Sequence, residues 1–219
     1  MKSLNQYIQE KLIINKDYHD NMIVVKSFDE LRKIIEDRYD KLGPGTKRNP
    51  IDFNDIDVSN LDSFYYNNTL FDKGIFQGTK FKYIDISYWN VSNVTNMRGM
   101  FFKCDELEST GDLSNWDVSN VTDMRGMFFA CEELKSVGDI SKWNVSNVTD
   151  MIYMFHGCKS FNQDISKWDV SSVTDMSYMF HDCRSFNQDI SKWDVSNVRH
   201  RDYIFKYCPI KEEYKPKFK

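Results

Sequence analysis

The apolar positions of this chain recur in blocks. Phe161-Asn-Gln-Asp-Ile-Ser-Lys-Trp-Asp-Val170 returns almost letter for letter as Phe186 to Val195, and from about Asp57 to Cys208 every block is a variant of that pattern. Inside one block the spacing changes. Val121, Met124, Met127, Phe128 and Cys131 lie at offsets 0, 3, 6, 7 and 10, which predicts a short helix with one buried face and Thr122 as its N-cap. Asp139-Ile-Ser-Lys-Trp-Asn-Val145 carries residues suited to a short extended segment. A bend is expected between Ile140 and Trp143, where the alternation slips by one.

The blocks register on single residues. Trp89, Trp116, Trp143, Trp168 and Trp193 are separated by 27, 27, 25 and 25 residues, and Cys104, Cys131, Cys158, Cys183 and Cys208 follow them at a constant distance of fifteen. The two extra residues of the longer blocks fall in Cys104–Gly111 and Cys131–Gly138, as expected of a surface turn lengthened outside the core. A fixed period of this length marks stacked repeats. One block alone buries too little apolar surface to offset its chain entropy, whereas stacked blocks bury one another. The predicted fold is therefore an α/β repeat solenoid of about five to six coils, each a short strand plus a short helix. At roughly 4.8 Å per coil it would form a rod on the order of 25 to 30 Å long.

Both ends of the array are atypical. Asp55-Ile-Asp-Val-Ser-Asn-Leu61 opens it without a preceding Trp, and the core Met97 position becomes Arg201 in the last block. Residues 1 to 50 carry no repeat. A first helix is expected over residues 3–12, a buried strand at Met22–Val25, and a second helix from the capping box Ser27-Phe-Asp-Glu30 to Gly43-Pro44. The expected organisation is a cap over residues 1–50, the solenoid over 51–208 and a basic tail over 209–219.

Charge is distributed unevenly along these parts. Residues 1–50 hold 10 basic and 8 acidic groups, residues 199–219 hold 7 and 3, and the stretch between holds 12 and 22. An acidic rod does not suit phosphate backbones, which call for clustered Lys and Arg. It suits a basic protein surface. The five cysteines share one repeat position and are read as reduced, buried core thiols rather than as disulfide partners. Met1 to Lys16 is amphipathic, interrupted by Gln and Lys, and no run reaches a transmembrane length. Together these features predict a cytoplasmic protein without a membrane partner, or else a mature fragment whose export signal was removed.

Each chemical candidate has a simpler structural explanation. His156, Cys158, His181 and Cys183 carry zinc-type donors, but alternate pointing separates His from Cys, and the first blocks have Phe102 and Phe129 in place of His. The aspartates Asp112, Asp139, Asp164 and Asp189 recur once per block, as do Asp117, Asn144, Asp169 and Asp194. They suit turns, not a paired-carboxylate active site. Ser119-Asn120 and its equivalents suit an internal hydrogen-bond ladder. No phosphate loop, nucleophile elbow or metalloprotease helix occurs. No catalytic residue, cofactor or metal is predicted. What differs between blocks is a set of outward positions: Tyr88, Lys142, Lys167 and Lys192 before the Trp, and Arg98, Arg125, Tyr153 and Tyr178 inside the helical stripe. Variation on a constant frame is how repeat proteins present a binding face, and Tyr and Arg are favoured anchors.

The long motif Trp-Asp-Val-Ser-Asn-Val-Thr-Asp-Met-x-x-Met-Phe-x-x-Cys, followed in later blocks by x-x-Phe-Asn-Gln-Asp-Ile-Ser, closely resembles the BspA-like leucine-rich-repeat surface-protein family over about residues 55–208. The resemblance implies a leucine-rich-repeat-like stack and a binding role without catalytic residues. Relatives of that kind include bacterial surface lipoproteins and adhesins, and proteins of phages and large viruses. Phe28-Asp-Glu-Leu31 followed by Asp55-Ile-Asp-Val58 resembles the leader of phage-type members. The leading expectation is a non-enzymatic scaffold, intracellular or phage-encoded, that recognises another protein through its variable face or its termini. The alternatives are an exported adhesin contacting host matrix or glycans and a structural subunit of a virion.

Overall fold

The structure is a computed structural model describing residues 22–66 and 73–218; the helix expected over residues 3–12 lies outside them. Chain order runs β1 (Ile23–Val24), α1 (Phe28–Leu42), β2 (Ile51–Asp52), β3 (Ile56–Asp57), β4 (Tyr65–Tyr66), β5 (Lys73–Gly74) and β6 (Ile84–Asp85), followed by two single turns of 3-10 helix at Ile140–Lys142 and Glu212–Tyr214. Strands β1 and β3 pair in parallel, as do β2 and β6, while β4 and β5 form an antiparallel pair. Beyond β6 the repeats are joined by isolated parallel bridges rather than continuous strands. One line of bridges runs from Ser63 through Asn96, Asp123, Asp150 and Asp175 to His200.

The helix expected in each repeat is not there: among the described residues the α-helix is α1 alone. In the stretch from Met97 to Cys104, alternate amides leave the repeat. Met97, Gly99, Phe101 and Lys103 donate to Asp123, Arg125, Met127 and Phe129 of the next one at 2.8–2.9 Å. The intervening amides of Met100, Phe102 and Cys104 close tight turns onto carbonyls three residues back. Successive three-residue turns bring apolar side chains inward at intervals of three and four, the same spacing that a helix stripe produces. Left-handed residues at Gly99 and Lys103, with φ near +58°, turn the chain where a helix would continue. Thr122 caps no helix either; its amide and hydroxyl both bond the carbonyl of Thr95 in the preceding repeat. The extended segment expected at Asp139–Val145 is instead a 3-10 turn closed by the Trp143 amide on the Ile140 carbonyl.

The core is a set of columns, one residue per repeat. Phe76, Phe101, Phe128, Phe155, Phe180 and Phe205 stack with centroids 5.3–5.8 Å apart. Trp116, Trp143 and Trp168 stack at 6.2–6.3 Å. Each indole N–H donates backwards across the stack, for example Trp143 Nε1 to Leu113 O at 2.9 Å. The cysteines form a further column whose thiols donate to phenylalanine carbonyls of the preceding repeat. The buried indoles and thiols of these columns thus keep a partner from layer to layer. On the surface the aspartates hold turns: Asp117 Oδ1 accepts from Ser119 N, and Asn147 Nδ2 donates to Ser119 O. The shorter later repeats replace a main-chain bond with a side chain. Leu113 N bonds Val137 O, but Val137 N bonds Gln163 Oε1.

The two ends are closed differently. Helix α1, capped by Ser27 Oγ on Glu30 N and ended by Gly43 at φ +74°, buries Leu31 and Ile35 against the first repeat. Its Arg32 donates to the carbonyls of Ile75 and Gln77 at 2.9 and 3.1 Å, on the side where a preceding repeat would have supplied amides. The strand expected to be buried at Met22–Val25 turns only Val25 to the core. Ile23 and Val24 stay 42% and 49% exposed, because the β1–β3 ribbon has a single partner strand. At the other end the basic stretch after Cys208 does not trail away: Ile210 is buried, Tyr214 O accepts from Ile190 N, and Tyr214 and Phe218 pack on the core.

Candidate functional site

The stretch of alternating inter-repeat amides also positions the variable residues. Its first left-handed position is Gly99, Gly126, Tyr153, Tyr178 and Tyr203 in successive repeats, all with φ between +53° and +60°. An L-residue in that conformation costs roughly 1–2 kcal/mol, so the tyrosines hold a strained backbone that glycine holds freely. Three residues further on stand Phe102, Phe129, His156 and His181. Their rings stack face to face with centroids 4.4, 4.7 and 4.7 Å apart and planes within 10°.

Where the left-handed position is glycine the surface is left open. A groove of about 720 Å³ runs over Gly74, Gly99 and Gly126, beside the ring column and beneath Arg98, Arg125 and Ile152. Tyr153 and Tyr178 also line it, together with Tyr65 and Gln77, and these two tyrosines stack on each other at 4.9 Å. The arginines are held in place. Arg98 lies over the Tyr65 ring at 4.7 Å, while Arg125 makes paired hydrogen bonds to Asp123 and lies 3.6 Å from Asp150.

Electrostatics within this region follow burial. Burial raises the carboxyl pKa of Asp150 above its ordinary value, against the pull of Ile152 N and Arg125. The His156 imidazole is pushed down by burial and then by His181 beside it. Both Nδ1 atoms are buried without a hydrogen-bond partner. The two stacked imidazole rings extend the phenylalanine stack.

Of the variable residues singled out in the sequence, Arg98, Arg125, Tyr153 and Tyr178 meet in the groove. Tyr88, Lys142, Lys167 and Lys192 do not line it; they share the exposed position before each Trp, with Lys142 paired to Asp139 at 3.6 Å. Sequence reasoning missed the ring column. Its signal was a planar side chain at one repeat position in four successive blocks, Phe102, Phe129, His156 and His181, directly after a buried phenylalanine in each.

Two overlapping stretches, residues 46–137 and 130–212, match the model of a family described as Mycoplasma protein of unknown function, DUF285. The chain belongs to this family. Neither a curated protein nor a solved structure matches it. The two DUF285 matches cover the tandem repeats, including the whole groove.

Within this DUF285 chain the zinc-type donors are split by the fold. The thiols of Cys158 and Cys183 point inward to the carbonyls of Phe128 and Phe155 at 2.9 and 2.8 Å, whereas His156 and His181 line the groove. Among the described residues no group of three or more His, Cys, Asp or Glu is arranged to hold a metal ion. Burial pushes the Cys104 thiol up to about 12 and raises Cys131 and Cys183 as well, so these sulfurs stay protonated and unreactive. No described helix is long and apolar enough to cross a membrane.

Proposed function

We propose that the chain is a leucine-rich-repeat-like solenoid of the BspA-like kind that acts as a non-enzymatic recognition scaffold, binding a segment of a partner protein in the groove over Gly99 and Gly126. The observation that carries this reading is the change from glycine to tyrosine along one column. It opens a groove of about 720 Å³ over the early repeats without altering the hydrogen-bonded frame beneath it. A cleft of that size, apolar on one wall with arginine at the other, has the make-up of a ligand site, and stacked rings and arginine are the residue types that anchor protein interfaces.

The polar groups gathered there favour binding over chemistry. Arg125 is occupied by Asp123, and the histidines stack on each other while the thiols of Cys158 and Cys183 point inward to main-chain carbonyls. The test is a variant that fills the groove with the chain's own alternative. A Cβ at Gly99 or Gly126 meets its nearest neighbour at 3.6 Å, an ordinary contact, so Gly99→Tyr with Gly126→Tyr copies Tyr153 into the open positions. Native-lysate capture should recover a protein with the wild-type chain and lose it by about tenfold with the filled variant. Equal recovery by both chains, or no specific partner at all, would overturn the groove as the recognition site.

A further inference from the structure

The last repeat keeps the geometry of the others but has no further repeat stacked on its far side; the closing segment reaches it only through side chains, Phe218 under Arg201 at 5.1 Å and Lys215 over Phe205. In the repeat before it, Met176, Tyr178, Phe180 and Asp182 donate their amides to His200, Asp202, Ile204 and Lys206 at 2.8–3.0 Å. The equivalent residues of the last repeat are Arg201, Tyr203, Phe205 and Tyr207. Its turns are intact, with Ile204, Lys206 and Cys208 bonding carbonyls three residues back. Yet the amides of Arg201, Tyr203, Phe205 and Tyr207 have no acceptor among the described residues. The closing segment supplies carbonyls elsewhere, Tyr214 O to Ile190 N, and leaves this row open. Helix α1 answers the same need at the opposite end through Arg32.

The surroundings of the row select the kind of acceptor. Arg201 stands where Met97, Met124, Met151 and Met176 stand in other repeats, and it is exposed. Lys206 is exposed as well, its Nζ 4.8 and 5.1 Å from the rings of Tyr203 and Tyr207, which are 56% and 67% exposed. Lys215 lies over Phe205 at 5.7 Å. Asp202, Glu212 and Glu213 are the acidic residues of this end, against seven basic ones from 199 to 219, and Glu212 is taken up by Lys215. A row of donors without acceptors cannot pair with the same row of a second copy. It fits acceptor-only groups of negative charge.

We infer that this terminal rung is a second docking surface, separate from the groove, and that its occupant is an acidic segment of a partner protein whose carboxylates and main-chain carbonyls accept from the amides of Arg201, Tyr203, Phe205 and Tyr207. The attachment is main-chain capture at an open edge, with Arg201 and Lys206 selecting the charge.

The test uses the full chain labelled with nitrogen-15 and an octaglutamate peptide as probe. In the free protein the four amides should exchange with solvent at least about a hundredfold faster than those of Met176, Tyr178, Phe180 and Asp182. Octaglutamate should shift these four resonances and slow their exchange, and binding should weaken about fivefold or more in Arg201→Met, which restores the residue of the other repeats. Lys206→Gln, on an exposed side chain, should weaken it as well, and about 0.5 M salt should do the same to the wild type. The inference fails if the four amides are already protected in the free chain, if octalysine or a neutral peptide gives equal shifts, or if the shifts fall on Arg98 and Arg125. It fails also if an oligonucleotide of equal charge binds more tightly, because the surface would then be a nucleic-acid site.

Discussion

Replacing Arg32 by Met would test how the first repeat is terminated. The substitution keeps the apolar stem of the side chain and removes the guanidinium that bonds the carbonyls of Ile75 and Gln77 and approaches that of Gly74 at 3.4 Å. A hydrogen bond from a charged donor contributes about 1.5–3 kcal/mol. Two such bonds give an upper figure of about 3–6 kcal/mol. The Arg32 side chain is 22% exposed, so water can take over part of the lost bonding, and a net cost of about 2–3 kcal/mol is expected. Arg32 also pairs with Glu36 at 2.8 Å, an exposed i,i+4 pair expected to contribute about 0.3–0.5 kcal/mol. Glu36→Gln is therefore the control. Urea unfolding followed by tryptophan fluorescence gives the global cost, and hydrogen exchange locates it. The amides of Phe76 and Gly78, which bond Met100 and Phe102, should lose protection while that of Phe155 keeps it, since repeats couple mainly to their neighbours. If Arg32→Met costs no more than Glu36→Gln, Arg32 does not terminate the stack.

Further outcomes follow from buried groups. The folded pKa of His156 lies below its unfolded value, so the unfolded chain binds more protons in that interval and stability should fall as pH drops from about 6.5 through the folded value. His156→Phe, which continues the Phe102–Phe129 column, should remove that component in urea titrations run from pH 7.5 to 5. Asp150 has the opposite sign: its raised folded pKa means the folded chain binds more protons, so stability declines as pH rises through that window. Asp150→Asn, which copies Asn96 and retains an oxygen for the Ile152 amide, should flatten the decline in urea titrations extended down to about pH 3, below the unfolded carboxyl value. Thiol titration with a chromogenic disulfide at pH 8 should label Cys208, which is half-buried, before Cys104, Cys131, Cys158 and Cys183, which react only on unfolding.

The register of the chain was open to sequence reading because it rests on large side chains at fixed spacing. The columns of Trp116, Trp143 and Trp168, and of Cys131, Cys158 and Cys183, align where the 25- and 27-residue separations place them. The local conformation was hidden because apolar spacing reports which side chains face inward, not where the amides go. A run of three-residue turns and a helix give nearly the same inward pattern. The distinguishing mark was Gly99, Gly126 and Gly157 inside the stripe, since a helix interior loses about 1 kcal/mol for each glycine. The groove was half legible. Arg98, Arg125, Tyr153 and Tyr178 differ between blocks and so drew attention, whereas Phe102 and Phe129 resemble core residues and were hidden by doing so.

This division follows from where the stability resides. Main-chain bonds between repeats, the indole and thiol donors and the Phe column recur in almost every layer, so the outward positions carry little of the folding free energy and can change without loss of the frame. The left-handed column is the exception, because an L-residue there is strained by about 1–2 kcal/mol. Tyr153, Tyr178 and Tyr203 nevertheless occupy it, and the stacking of Tyr153 on Tyr178 at 4.9 Å and of Tyr178 on Tyr203 at 5.2 Å offsets about 0.5–1.5 kcal/mol per pair. A tyrosine is thus tolerated at this position when another adjoins it. The column falls into two runs, glycines beneath the open part of the groove and tyrosines from Tyr153 onward, of which Tyr153 and Tyr178 line its far part. The boundary between Gly126 and Tyr153 divides the groove into a stretch open over glycine and a stretch walled by tyrosine rings.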